Sequence, residues 1–188
     1  MNENIILALE KIAIIYRILL LEIGKENNLS ATQIEIIDSI SKNKANTITL
    51  LAKEFNIKKS TISDSVNNLL KKGYIQKTIS EKDNRSYNLI LTEKSNSILN
   101  KFRDRLKNLF SIINNFSEQE KNIVLKFFSE VIKDLYNKKF IQKARLCLTC
   151  SNLKRLENTN EKPFYCNFTN LKFDYNNINF NCNYYQEN

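Results

Sequence analysis

The sequence has few of the residues that tight turns and most catalytic sites require. Its 188 residues include no histidine, two glycines and one proline. Because all-β and α/β domains use many glycines and prolines in their turns, this shortage favours helices joined by short connections. The chain also lacks a histidine base, a glycine-rich phosphate loop and a βαβ pattern. We therefore expect that the protein is not an enzyme.

The apolar stretch near the N-terminus does not read as a signal peptide or a membrane span. It covers residues 12–21, lies behind Glu3 and Glu10, contains Arg17 and is followed by no small-residue cleavage site. A spanning helix needs roughly 18 or more uncharged residues. We therefore expect a cytoplasmic protein with no membrane partner, in which cysteines stay reduced and can act as metal ligands or redox-active thiols.

The charge of the chain is strongly positive and unevenly distributed. The 29 basic and 20 acidic residues give a net charge of +9, which favours an acidic partner such as nucleic acid. A general bias toward Asn, Lys and Ile is the alternative explanation for the charge. Residues 1–52 hold five basic and six acidic residues, whereas residues 53–85 hold eight and four. The positive excess therefore begins in one particular segment, whose pattern is described below.

Apolar residues spaced by three and four predict that helices dominate the first 140 residues. The first helix, residues 4–23, has an apolar face wider than one small core needs, so a helix of another subunit could cover the surplus. Capping residues predict where the later helices begin: Ser30 with Gln33, Thr47, Thr92, and Ser117 with Glu120.

A pattern typical of a helix-turn-helix motif lies between residues 47 and 75. A short helix from Thr47 to Phe55 is followed closely by a helix from Lys59 to Lys72, which Gly73 ends in a left-handed conformation. Apolar residues form the inner side of this pair, so the polar first turns of the second helix face outward. These polar residues are predicted to contact bases and phosphates in the major groove: Lys59, Ser60, Thr61, Ser63 and Asp64.

A β-hairpin is predicted directly after the second helix of this motif. Residues 74–80 and 86–91 read as strands, and the polar residues 81–85 read as the turn between them. A hairpin in this position is the wing of a winged helix. The sequence therefore predicts a mainly α fold with a small β-hairpin wing.

This pattern resembles the MarR family of winged-helix regulators over about residues 5–140. The likeness is sharpest at Asp83-Asn84-Arg85 followed by a strand ending in Leu91-Thr92, which looks like the family's D-x-R wing. The resemblance implies that Arg85 enters the minor groove of double-stranded DNA, where a guanidinium is attracted to negative potential, and that Asp83 supports the wing. Asp64 departs from the family, which commonly has a basic residue there.

The resemblance also implies how such a protein works. It implies a homodimer formed by the first helix and the last two helices, so that two recognition helices read a near-palindromic site. It implies a sequence-specific regulator, a repressor, and a small-molecule signal, since many family members bind phenolic anions. The cysteines described below add a metal or a redox change as possible signals that alter its DNA affinity. The alternatives are a thiol oxidoreductase using Cys147 and Cys150, and an adaptor that no longer binds DNA.

Beyond residue 143 the helical pattern fades and four cysteines appear. We expect residues 1–143 to form the winged-helix and dimerisation domain and residues 144–188 to form a separate cysteine-rich tail. The cysteines follow the spacing C-x2-C-x15-C-x15-C: Cys147, Cys150, Cys166 and Cys182.

Four thiolates suit a tetrahedral zinc ion or an iron-sulfur cluster, and the sequence does not choose between them. A second C-x2-C pair, typical of a zinc ribbon, is absent. The alternatives without a cofactor are thiols that sense redox conditions and cysteines that fill an apolar cluster with nearby aromatic residues.

Overall fold

The computed structural model describes residues 1–42, 45–80, 83–157 and 162–187, and it leaves the side chains of residues 80 and 83–86 undescribed. The helices of this part are α1 (Asn2–Asn27), α2 (Ala31–Ser41), α3 (Ile48–Phe55), α4 (Lys59–Lys71), α5 (Lys94–Ile113) and α6 (Glu118–Asn137). Its strands are β1 (Ile75–Ser80), β2 (Asp83–Leu91), β3 (Leu153–Arg155), β4 (Phe164–Cys166) and β5 (Leu171–Phe173). The predicted fold class, mainly α with a hairpin wing, is confirmed.

The chain divides into two compact units. The N-terminal unit comprises residues 1–52 and 57–112, and the C-terminal unit comprises residues 53–56 and 113–188. The separate boundary expected at residue 143 stays a prediction. None of the described helices is both long enough and apolar enough to cross a membrane.

The core of the N-terminal unit forms around α2, which contacts α1, α4 and β2. Ser30 begins this helix with the predicted capping box: its hydroxyl accepts from the backbone N–H of Gln33 at 3.2 Å, and its own N–H donates to the Gln33 side chain. Every element of the unit contributes buried apolar side chains: Leu20, Ile36, Ile37, Leu51, Ile62, Val66, Leu69, Ile75, Leu89, Ile98 and Phe102.

The hairpin extends further than the sequence predicts. Strands β1 and β2 pair antiparallel from Ile75 with Leu91 to Ser80 with Asp83, with a register shift after Ile79. Asp83 and Arg85 therefore belong to the backbone of β2 rather than to the turn. The reason is physical: an interstrand ladder continues as long as backbone N–H and C=O groups can pair, whatever the polarity of the side chains.

Thr92 has a different role from the predicted helix cap. Helix α5 begins at Lys94, and the Thr92 hydroxyl lies 2.6 Å from the carbonyl oxygen of Gly73 and 3.1 Å from that of Tyr74. The buried hydroxyl of Ser95 donates to the same Tyr74 carbonyl. These contacts fix the base of the wing to the end of α4, where Gly73 adopts the predicted left-handed conformation with φ of 74°.

The C-terminal unit combines α6 with a small sheet. Ser117 and Glu120 form the predicted capping box at the start of α6. Strands β3, β4 and β5 form an antiparallel sheet in that order. Its core comprises Leu146, Phe164 and Ile178, and Ile132 of α6 packs against them. The sequence did not predict this sheet, because strands of three residues are too short to show an alternating pattern.

Candidate DNA-binding surface and cysteine cluster

The first turns of α4 present polar side chains to solvent. Three residues face the inside of the unit and are fully buried, namely Ile62, Val66 and Leu69. The predicted DNA-contacting residues lie on the other side, where Lys59, Ser60, Thr61 and Asp64 are exposed and Ser63 is half-buried. The helix therefore separates a core face from an accessible polar face, as its periodicity predicts.

The turn between α3 and α4 depends on residues that the sequence analysis did not single out. Asn56 adopts a left-handed conformation with φ of 53°, which asparagine tolerates better than most residues. The N–H of Ile57 then donates to the carbonyl of Ala52 at 3.0 Å. Lys58 follows as the N-cap of α4 and makes no side-chain capping hydrogen bond. A lysine therefore stands directly at the positive end of this helix.

The wing adds a second positively charged position. The side chains of Asp83 and Arg85 lie outside the described residues, so their roles in DNA binding stay predictions. On the described part of the hairpin, the Lys77 ammonium lies 5.8 Å from the ring centroid of Tyr87, and both residues are exposed. Lys77 was not among the predicted contacts, since a single lysine in a lysine-rich chain gives no recognisable signal.

The C-terminal unit brings all four cysteines to the wall of one cavity of about 30 Å³. Cys147 begins a 3₁₀ turn (Cys147–Thr149), Cys150 follows that turn, Cys166 ends β4, and Cys182 lies near the C-terminus. In the described residues all four are free thiols. As placed, no three His, Cys, Asp or Glu side chains of this part form a group that could hold a metal ion. The structure therefore shows that the four thiols border one cavity, but not that they are arranged around a metal ion.

Backbone and hydroxyl groups donate hydrogen bonds to three of the four sulfurs. The N–H of Asn179 lies 3.3 Å from Cys147 Sγ, and the N–H of Gln186 lies 3.4 Å from Cys150 Sγ. Burial raises the pKa of Cys147. Burial acts in the same direction at Cys166, but hydrogen bonds from Thr169 and from the N–H of Phe168 hold its pKa below the usual value. The thiols therefore differ in how readily they ionise.

Glu130 joins α6 to the small sheet. Its carboxylate accepts hydrogen bonds from Lys133 on the same helix, from the Tyr175 hydroxyl at 2.7 Å and from Arg155 of β3 at 3.0 Å. Burial works to raise the pKa of Glu130, but the hydrogen bonds from Lys133, Tyr175 and Arg155 outweigh it and lower the pKa to about 2. The charged form of Glu130 therefore stabilises the docking of the sheet on α6.

This lowered pKa predicts an acid-sensitive contact. Because the pKa falls from an ordinary value of 4.5 to about 2 on folding, the stabilisation is fully present above pH 4.5 and is lost as the pH falls toward 2. We expect Glu130→Gln to remove this dependence. Near-UV circular dichroism of the tyrosines from pH 6 to pH 2 would measure it, with Glu118→Gln on the exposed side of α6 as the control. Identical acid profiles for wild type and Glu130→Gln would contradict it.

Comparison with known proteins agrees with this geometry. Residues 29–87, which span α2 through most of the hairpin, match the model of the MarR family. Among curated proteins the sequence has no match.

Solved structures give the same result for the fold. A MarR protein from Peptoclostridium difficile is 25% identical with a TM-score of 0.62, and the match covers 74% of this chain and 92% of that chain. Streptococcus pneumoniae FabT, solved in complex with DNA, is 29% identical with a TM-score of 0.60, and the match covers 74% of this chain and 100% of that chain. A MarR regulator from Methanosarcina mazei, 18% identical with a TM-score of 0.58 over 70% of this chain and 96% of that chain, shows the fold alone. This chain therefore has the winged-helix fold of MarR regulators, and its helix-turn-helix segment matches the model of that family.

Proposed function

We propose that this protein is a DNA-binding transcription regulator that places the first turns of α4 in the major groove and its hairpin against the neighbouring minor groove. The exposed polar face of α4, directly opposite a fully buried apolar face, carries the proposal. The family match of residues 29–87 and the DNA complex of FabT support it.

The charges around this face suit a phosphate backbone. Lys58 and Lys59 stand at the N-terminus of α4, where backbone N–H groups and the helix dipole attract anions. Lys77 adds a cation on the wing. Such contacts orient a recognition helix. The hydroxyl groups of Ser60, Thr61 and Ser63 can then hydrogen-bond to base edges from the first turns.

Adding one negative charge to this face tests the proposal. We expect Thr61→Asp to weaken binding to duplex DNA at least about tenfold, because a carboxylate would face the phosphates. An acidic residue in the first turn favours the helix itself, so the fold should persist. Asn67→Asp is the matched control, since it adds the same charge at an exposed position further along α4.

Fluorescence anisotropy with a labelled mixed-sequence duplex, repeated over a range of salt concentrations, measures both variants. The proposal requires that wild-type affinity falls steeply with salt. Equal binding by Thr61→Asp and Asn67→Asp would contradict the placement of α4, and a wild-type protein without salt-dependent affinity would favour the adaptor alternative.

We further propose that the regulator is a homodimer. A single chain leaves many large apolar side chains of α1 exposed: Ile6, Leu7, Ile12, Ile14, Ile15, Ile18 and Leu21. The end of α5 and helix α6 do the same with Phe110, Ile112, Ile113, Ile123, Val124, Phe127 and Leu135. Monomeric proteins rarely expose so much apolar surface, and a second copy of the chain offers the same helices to cover it.

A charge within this surface should separate the subunits. Ile12, which is 62% exposed in one chain, would bury its side chain in the proposed interface. We expect Ile12→Glu to shift the mass from dimer to monomer, because the carboxylate would lose its hydration without a partner. Light scattering after gel filtration measures the mass, and Ile12→Leu, which keeps an apolar side chain, should stay dimeric. A dimeric Ile12→Glu would contradict this part of the proposal.

We propose that a signal changes the DNA affinity of this regulator. That it represses rather than activates transcription is proposed from the family resemblance alone. A metal, a change in redox state and a small phenolic anion are the three candidate signals. The cysteine cluster offers a place for the first two, because its thiols border one cavity. DNA affinity of one preparation, measured before and after adding a chelator, a thiol oxidant or a phenolic anion, distinguishes the three.

A further inference from the structure

We infer that the four thiols bind one metal ion of the zinc class in a tetrahedral site, and that this ion holds the C-terminal sheet together. The ligands would be Cys147, Cys150, Cys166 and Cys182, which meet at one cavity although the last of them is 35 positions from the first. The inference stands apart from DNA binding, since every residue it uses lies in the C-terminal unit.

The size of the cavity favours a single ion. Its volume is about 30 Å³, whereas a site for one water molecule needs roughly 10–15 Å³. A four-iron cluster brings eight metal and sulfide atoms, which this space does not admit without separating the surrounding loops. One ion is small enough for this space, but as placed no three of the described ligand side chains form a metal-holding group, so the sulfurs must move inward on binding to reach the usual Zn–S distance of about 2.3 Å.

The surroundings of the sulfurs fit a site of high negative charge. Four thiolates around one divalent cation leave a net charge of −2, which N–H donors stabilise. The backbone provides such donors from separate loops: Asn179 to Cys147, Gln186 to Cys150, and Phe168 with Thr169 to Cys166.

The small core of the sheet gives the ion a structural role. Three residues form its buried apolar centre, Leu146, Phe164 and Ile178, and each strand has only three residues. A segment of this size buries too little apolar surface to offset its loss of chain entropy, so cross-links between its loops are needed. A metal that joins the 3₁₀ turn, β4 and the C-terminal loop would provide them.

The experiment uses the full chain purified under anaerobic conditions. We expect about one zinc per chain by elemental analysis, and a cobalt-substituted protein whose visible spectrum shows tetrahedral thiolate coordination. Cys182→Ser should weaken metal binding by more than roughly a hundredfold, since changes outside the ligand shell alone cost about 10- to 100-fold. Asn183→Ser, which places the same new side chain at an exposed position next to Cys182, is the matched control and should bind as the wild type does.

Removal of the metal gives a second measurement that does not depend on variants. A chelator should make the C-terminal sheet more sensitive to protease and expose four thiols to a thiol reagent, and added zinc should reverse both effects. Iron together with inorganic sulfide would overturn the inference of a single ion. Metal-free protein that resists protease and does not bind added zinc or cobalt would overturn the metal site altogether.

Discussion

Replacing Arg85 with alanine is expected to weaken the binding of the proposed dimer to duplex DNA roughly 60-fold in 0.1 M salt. Each cation that neutralises a phosphate contributes about 0.9 to the slope of log affinity against log salt concentration. We count each Arg85 in the minor groove as neutralising one phosphate charge, so the proposed dimer, which loses two, loses about 1.8 from this slope. The salt-dependent part of the affinity vanishes at 1 M salt, so the two proteins are compared from that point. One decade lower, at 0.1 M salt, a difference of 1.8 in slope makes the affinity of the variant about 60-fold lower than that of the wild type. The slope itself should become shallower by the same amount.

The control for Arg85→Ala removes an arginine that belongs neither to α4 nor to the wing. Arg103 is exposed on α5, so Arg103→Ala changes the net charge equally and should leave the slope within its error. Anisotropy titrations at four or more salt concentrations give the slope for each variant. Should Arg85→Ala keep both the affinity and the slope of the wild type, the assignment of Asp83 to Arg85 as the wing motif would be wrong.

Gly24→Ala is expected to lower the free energy of unfolding of the N-terminal unit by about 1–3 kcal/mol, the usual cost of forcing an extra group into a packed site. Alanine in a helix normally gains about 1 kcal/mol over glycine. Here a Cβ atom on Gly24 would lie 2.2 Å from the backbone carbonyl oxygen of Leu29. That oxygen cannot move alone, because the N–H of Leu29 donates to the Gly24 carbonyl at 2.8 Å and Asn28 turns the chain with φ of 53°.

Urea unfolding followed by far-UV circular dichroism measures this change. Lys25→Ala is the control, since Lys25 is the next residue of α1 and its side chain is exposed, so its replacement should change stability by less than about 0.5 kcal/mol. A Gly24→Ala protein as stable as the wild type would show that the turn after α1 can shift to admit the methyl group.

The helix-turn-helix was predictable because its signals are local. Thr47 caps α3 through the N–H of Leu50 at 3.2 Å, and Gly73 ends α4 in a left-handed conformation. Both depend on residues within one turn of the chain, and so does the alternation of buried and exposed positions along α4. The exposed residues predicted to read DNA follow directly from that periodicity, so the candidate surface on α4 required no knowledge of the fold.

The wing and the tail were predicted less well, because their structure depends on distant partners. The length of β2 is set by pairing with β1, which carries the ladder to Asp83 despite a polar sequence that reads as a turn. Strands β3 to β5 are even less visible, since each is three residues long and depends on its neighbours for every hydrogen bond. Lys77 and Glu130 acquire their contacts only when Tyr87, Arg155 and Tyr175 come near them.

The sequence by itself determined the helical architecture, the position of the helix-turn-helix and the number of thiols in the tail. Helix caps, turn residues and apolar periodicity act over a few residues, so they can be read without a structure. Only the tertiary structure decided that Cys147, Cys150, Cys166 and Cys182 border one cavity and that a methyl group on Gly24 would strike Leu29. Such contacts depend on the path of the chain between distant positions, and the spacing of residues along the sequence does not specify that path.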